Sequence, residues 1–424
     1  MRTLLATTRD RFLLALQYQD YRNLWVATTF SASAAWALII ARGLLAFELT
    51  DGLLWSGIVT FAAMVPRLFA TPISGFLADR FDRQKLLRWI FALNMGNNIL
   101  LALLVMTGLV GPWVLTLLAL VNGTLRASQM TTATALIPNL VPKEHLMNAI
   151  ALNQATQQGA RLAGAMAIAP LLGLVNIESA FWLCSGLYFL GFLQVSRMTT
   201  RSTGVIDESQ GFWANMFEGF VYVYKRPIIM SMVLLVLAHC AFTMSYESML
   251  PAISEDKMGT GRVGVSYLIA GVGAGALFAS VFLAGVRSES ARGRFFLFFA
   301  FSSALGPILL AWSDNTGLSV AATVIMGANQ AGFMTISHTI IQSLTEDHVR
   351  GRVAGVYSVH VGGSMAVTNM ANAAFADVFS ASAVLVVGGL IFVAAVFVSL
   401  GVNPLRRLYF PRPEPAAAVG TPAD

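Results

Sequence analysis

Charge is scarce in this chain: 11% of its 424 residues are Asp, Glu, Lys or Arg, where a soluble domain carries about a quarter. Cysteine is scarcer still. Cys184 and Cys240 are the two present, both inside long apolar runs, so a disulfide framework is excluded and the thiols read as inert packing residues. No Gly-x-x-x-x-Gly-Lys-Ser/Thr phosphate loop occurs, which excludes ATP as a driving force. Paired carboxylates, a metal-ligand cluster and a nucleophile beside a base are missing from the polar connectors, which argues against an enzyme, a metal or a cofactor. The N-terminal stretch holds Arg2, Arg9, Asp10, Arg11, Asp20 and Arg22 around a short Phe12–Leu16 run, too brief and too charged for a cleavable signal.

What is abundant is apolar surface: 56% of the residues are hydrophobic. A spanning helix needs about 20 apolar residues, so the length holds roughly a dozen spans and little else. Apolar runs predict helices at about 23–47, 53–78, 86–108, 113–137, 147–174, 177–196, 228–252, 263–286, 294–312, 316–343, 352–376 and 380–403. The net charge of +6 invites a nucleic-acid reading, but the placement of the cations argues otherwise. Most lie in alternate connectors, from Arg2–Arg22 through Arg80–Arg88 and Arg197–Arg226 to Arg406–Arg412, against Lys257 and Arg262 on the other side. The positive-inside rule then puts both termini in the cytoplasm, which requires an even number of spans.

The expected organisation is all-α, with twelve transmembrane helices in two six-helix pseudo-symmetric halves, 23–196 and 228–403. A cytoplasmic segment 1–22 precedes them and a tail 404–424, expected to be disordered, follows. Between the halves, 197–227 begins as polar linker and then sets Phe212, Met216, Phe220 and Val223 on one helical face, as in an amphipathic surface helix. Internal similarity supports the division: Gly75 and Asp79 correspond to Gly285 and Glu289, with Arg292 and Arg294 beyond, and Glu144-His145 corresponds to Asp347-His348. Such repeats bind substrate near the bilayer midplane and rock about it.

Ionisable residues inside spans are functional candidates by default. Arg67, Arg126 and Arg161 fall near mid-span, Arg42 lies toward the outer end of its helix, and the comparable acid is Glu247. Helical spacing aligns Asn153, Gln157, Arg161 and Gly164 in one stripe and Asn122, Arg126 and Gln129 in another. Three more are His239, Thr243 and Glu247; Gln330, Met334, His338 and Gln342; and His360, Ser364, Thr368 and Asn372. Each stripe lines a passage or holds helices together by hydrogen bonds of about 1 kcal/mol. The substrate-binding candidates are Arg67, Arg126, Asn153, Gln157, Arg161, Gln330 and His338; Glu247 and His239 are candidates for proton coupling.

One stretch organises the rest: Gly75-Phe-Leu-Ala-Asp79-Arg80-Phe-Asp82-Arg83-Gln84-Lys85, a tight charged turn between two apolar runs. There the glycine is expected to let two backbones approach closely. It resembles the cytoplasmic signature between helices 2 and 3 of the major facilitator superfamily, with Asp82 where a glycine is commonest. Its wording is similar to the branch of the enterobactin exporter and macrolide efflux pumps. The likeness extends to Tyr21-Arg22-Asn23-Leu24-Trp25, Ala135-Leu-Ile-Pro138 and Arg350-Gly-Arg-Val353; Ala165 replaces the proline of a helix 5 pattern. The resemblance implies a proton-coupled exporter of a small amphipathic molecule, siderophore-like or drug-like. It also implies a gating role for Gly75, Asp79, Arg80 and Arg83, holding helix 2 against helix 11. The surplus of buried arginine adds a preference for anionic cargo. Expected partners are a small-molecule substrate, a proton and the lipid of a bacterial cytoplasmic membrane, with no nucleic acid, no ATP and the chain acting as a monomer. An importer of the same fold and a non-transporting receptor stand as alternatives.

Overall fold

The computed structural model describes residues 14–200, 202, 212–283, 289–346 and 349–410, and among them every regular element is helical. The helices are α1 (Gln19–Thr50), α2 (Leu53–Met64), α3 (Arg67–Arg80), α4 (Arg83–Met106), α5 (Pro112–Leu136), α6 (Lys143–Leu174), α7 (Ile177–Ser196) and α8 (Phe212–Lys225). They continue with α9 (Pro227–His239), α10 (Leu250–Ile253), α11 (Gly261–Leu283), α12 (Glu289–Ser303), α13 (Leu305–Trp312), α14 (Thr316–Ser343), α15 (Arg350–Val378), α16 (Ala381–Gly401) and α17 (Asn403–Tyr409). Among the described residues, eight helical stretches are long and apolar enough to cross a membrane. Four further helices, α5, α6, α14 and α15, have the length but not the apolar character, because they carry the polar stripes.

Local chemistry explains where the rods end or bend. Pro66 lacks the amide that would continue α2, so the expected single helix over 53–78 is two, broken between Met64 and Arg67. The helix expected over 294–312 likewise breaks at Ala304, just ahead of Pro307. The run expected as one helix over 228–252 ends at His239, passes through a wide π turn at Cys240–Met244 and resumes as a 3-10 turn at Glu247–Met249. His239 and Thr243 share a face as expected; Glu247 lies beyond the break and does not extend it.

The two most extensive contacts between the first part of the chain, up to Thr200, and the second, from Phe212 on, are α2 along α15 and α6 along α11, with smaller ones from α2 to the Glu247–Met249 turn and from α3 to α15. At the end of the molecule opposite the Arg80–Arg83 turn these contacts are reinforced by charge. The Asp377 carboxylate accepts the N–H groups of Leu53 and Leu54 at 2.7 and 2.8 Å, capping the start of α2, whose free amides no intrahelical carbonyl can satisfy. The Arg262 guanidinium donates twice to Glu48, Nε to Oε1 at 2.5 Å and Nη2 to Oε2 at 2.8 Å.

At the basic end the chain is tied differently. Arg83 donates to the carbonyls of Ala78 and Ala135 and to Asn139 Oδ1 at 2.8–3.0 Å, and its own N–H reaches the Ser202 carbonyl at 2.9 Å. Gly75 is not a point of close approach: a Cβ there would meet nothing within 4 Å, while its neighbours Ser74 and Ala78 are the residues buried against other helices. The linker helix α8 is welded to α15 rather than lying free, with Glu218 paired to Arg352 and Tyr224 Oη hydrogen-bonded to His360 Nε2 at 2.8 Å. His360 Nδ1 donates to the Val356 carbonyl, so the tyrosine hydroxyl is the donor to Nε2.

The molecule is therefore shut at the end opposite the basic turn, and Asp377 holds it shut more firmly than Glu48. A capping carboxylate contributes about 0.5–2 kcal/mol, against about 0.2–1 kcal/mol for an exposed ion pair. Asp377→Ala is expected to raise the population open at that end several-fold, and Glu48→Gln by less. Spin-label distances between Leu49 and Val378, both exposed, would read the difference; identical distributions in the Asp377 variant and the parent would dismiss the clamp.

Candidate functional site

Five helical segments bring their few charged side chains to one place. Trp36 and Arg42 come from α1, Arg67 from the first turn of α3, Arg126 from α5, Arg161 from α6 and Glu247 from the far side of the α9 break. Arg161 Nη2 donates to Tyr246 Oη at 2.9 Å and lies 3.7 Å from Glu247 Oε1. Its guanidinium stacks over the Trp36 ring at 4.3 Å, and that of Arg126 stands 5.8 Å from the same ring. The Glu247 carboxylate is within electrostatic reach of Arg67 and Arg126 as well. Four cations and one acid thus share one neighbourhood, and neither Arg67 nor Arg126 has a hydrogen-bond or ion-pair partner among the described residues.

The break beside Glu247 is built from distant side chains. Asn372 Nδ2 donates to the Ser245 carbonyl at 2.7 Å, Gln330 Nε2 to the Thr243 carbonyl at 3.0 Å, and Ser248 Oγ to the Asn369 carbonyl at 2.9 Å. An interrupted helix leaves backbone groups that lipid cannot satisfy, and these side chains satisfy them. Gln330 also meets Tyr246 Oη at 3.4 Å, which connects α14 to Arg161 through one hydroxyl. Along the α15 stripe, Thr368 bonds Ser245 and Ser364 reaches the Leu237 carbonyl, so that stripe braces α9 and its break.

The other sequence candidates lie apart. Asn153 and Gln157 are half-buried on α6, closer to the basic end than Arg161, without hydrogen-bond partners among the described residues. His338 packs against the Tyr357 ring at 5.2 Å. His239 is enclosed by Phe333 and Phe392 at 4.1 and 5.1 Å. Thr243 spends its hydroxyl proton on the His239 carbonyl, so His239 Nδ1 is the donor to Thr243, and Nε2 has no partner among the described residues. In the charged turn Asp82 caps α4 through Lys85 N–H at 3.0 Å and Arg80 is exposed. The Asp79 side chain, Gly285 and the Asp347-His348 pair lie outside the described residues. Trp36 and Tyr246 are additions that the sequence reading missed; an aromatic amid alanines on α1 was the one available signal.

Comparison with known proteins gives this arrangement its context. Half of the chain resembles an uncharacterised MFS-type transporter, YfiS of Bacillus subtilis (strain 168), at 22% identity over 214 residues, 49% of this chain and 50% of the relative. The match thus spans about half the length of that relative. Among solved structures, a single-residue variant of the nucleoside transporter NupG superposes with a TM-score of 0.75 at 10% identity, covering 91% of this chain and 100% of the other. A POT family transporter in complex with 5-aminolevulinic acid superposes with a TM-score of 0.70 at 10% identity, covering 90% and 96%. At such identity these likenesses speak for the fold alone. A family model described as transmembrane secretion effector matches residues 13–408, nearly the whole described length, and the chain belongs to that family of MFS-type, multi-pass membrane transporters.

Proposed function

We propose that this chain is a proton-coupled exporter that moves a small amphipathic organic molecule, siderophore-like or drug-like and preferentially anionic, by alternating access. In this reading twelve spans form two six-helix halves, 23–196 and 228–403, joined by the linker at 197–227, in a bacterial cytoplasmic membrane with both termini inside. Of the four helices too polar to count as apolar spans, α5 and α6 turn their arginines into the passage, α14 joins them through Gln330, and α15 braces the break. The observation that carries the reading is the convergence of Arg67, Arg126, Arg161 and Glu247 from both parts of the chain beside the break after α9. A cluster with surplus positive charge at that junction attracts an anion and repels a cation. Glu247 suits proton coupling better than His239, since its carboxylate faces the arginines while His239 is walled in by phenylalanines.

Transport into everted vesicles under an imposed pH gradient tests the reading. An anionic catechol siderophore is expected to be taken up and to outcompete a cationic dye, and Arg126→Gln is expected to reduce uptake at least tenfold while the protein still reaches the membrane. A dye that outcompetes the siderophore would overturn the preference for anions. Uptake that is indifferent to the gradient would overturn proton coupling.

A further inference from the structure

Beside the Arg161–Glu247 pair, within the first part of the chain, is a small cavity of about 30 Å³ lined by Arg42, Arg67 and Arg126, with Leu38, Val59 and Met64 closing it. A water needs about 10–15 Å³ of such space, so the cavity holds two or three water-sized groups. Arg42 is 3% exposed. Its Nη1 donates to Asn122 Oδ1 at 2.9 Å, and its Nε and Nη2 have no partner among the described residues. Asn122 is held in that orientation because its Nδ2 donates to Asn94 Oδ1 at 2.7 Å, and Asn94 Nδ2 in turn donates to the Ile90 carbonyl. The polar chain therefore aims Arg42 and leaves two of its donors free at a cavity where Arg67 and Arg126 are also unpartnered. Arg126 feels both Arg67 and Arg42 as like charges.

Three guanidinium groups around one small space, Arg42 buried and Arg67 and Arg126 half-buried, repel one another unless something negative sits among them. Glu247 cannot serve all three, since its nearest partner is Arg161. We propose that Arg42, Arg67 and Arg126 form a binding site for one compact anion, a halide or the oxygens of a carboxylate or phosphate, with Arg42 as the residue that orients it. Guanidinium forks match such oxygens in geometry as well as charge. The inference deepens the reading of an anion-preferring transporter and rests on it for the identity of the occupant. The occupant is either a free inorganic anion or the anionic group of the cargo. The binding site itself requires neither a direction of transport nor a coupling ion.

The test is the melting temperature of the full chain in detergent, titrated with one anion at a time while gluconate, whose hydroxylated chain the apolar walls Leu38, Val59 and Met64 disfavour, keeps ionic strength constant. Chloride and inorganic phosphate probe the free-anion source; benzoate probes the cargo-like source. The expected result is a saturable rise of a few degrees in at least one arm. Arg42→Lys keeps the charge and loses the fork, and is expected to shift half-saturation by on the order of tenfold. Arg126→Gln is expected to lose the rise altogether while melting in gluconate alone no lower than the parent, since it removes a half-buried cation that Arg67 and Arg42 repel. Arg22→Gln, an exposed cation at the basic end, should leave the titration unchanged. Saturation with chloride or phosphate assigns an inorganic occupant, and saturation with benzoate alone assigns the cargo. No saturable rise in the parent, or the same half-saturation in Arg42→Lys, overturns the site. Because binding is read without transport, a failed vesicle assay with an intact titration would sink the exporter reading and leave this site standing.

Discussion

Glu247→Gln is expected to destabilise the chain by about 3–5 kcal/mol, and Arg161→Met added to it is expected to restore part of that loss. The pair is buried, with Nη2 and Oε1 3.7 Å apart and side chains 8% and 2% exposed, so removing the acid strands Arg161 in a dry setting, while removing Arg161 leaves the acid facing Arg67 and Arg126. Removing both relieves the pair but still leaves Arg67 and Arg126 without their acid, so the recovery is partial. The single variants are not equivalent, because Glu247 also answers Arg67 and Arg126. Glu247→Gln leaves four cations without an acid and should cost more than Arg161→Met, even though Arg161 loses in addition its bond to Tyr246 and its stacking on Trp36. For scale, the half-exposed Glu48–Arg262 pair is worth about 0.2–1 kcal/mol. Thermal melting of the two single variants and the double variant in detergent gives the coupling. Additive losses of less than about 1 kcal/mol each would mean that water reaches the pair freely, and the dry-junction account of the site would fall.

The apolar runs made most helices readable in the sequence, since a chain in lipid has few ways to satisfy its backbone. Pro66 and Pro307 were visible too, yet a hydropathy run passes through a proline without registering the break. The interruption at Cys240–Tyr246 had no local sign at all. That segment holds neither glycine nor proline, and the groups that stabilise its opened backbone, Asn372, Asn369 and Gln330, lie more than eighty residues away in sequence. For the same reason the polar stripes could not be sorted beforehand. On α15 the stripe meets a broken helix and holds it, whereas on α5 and α6 Arg126 and Arg161 meet other charges. The periodicity of a single helix reports which side chains share a face, not what the face meets. Arg42 illustrates the limit: the sequence shows a cation near a helix end, and only the Asn122–Asn94 chain shows where it points.

Glycine positions give the second large effect, and they separate the two kinds of interface. Gly275 and Gly327 lie where α11 and α14 cross; a Cβ on either would come within 1.9 Å of a backbone oxygen, of Val324 and of Val272 respectively. Gly57 and Gly273 face the contacts between the first and second parts, with a Cβ 2.6 Å from Ala373 Cβ and 2.7 Å from Leu162 N. Close helix packing in a membrane relies on such small residues, so leucine at any of the four forces backbones apart. Inside one part there is no alternative packing, and Gly275→Leu or Gly327→Leu is expected to cost more than the 1–3 kcal/mol typical of about one overfilled site, enough to abolish accumulation in the membrane. Between the parts, the alternating access proposed above requires the surfaces to separate. Gly57→Leu and Gly273→Leu should therefore yield folded protein that melts near the parent but cannot shut the end clamped by Asp377, with spin-label distances between Leu49 and Val378 lengthened and uptake reduced to background. Membrane yield, melting and distance measured on the four variants would show the contrast, and the same defect in all four would refute a separable interface along α2–α15 and α6–α11.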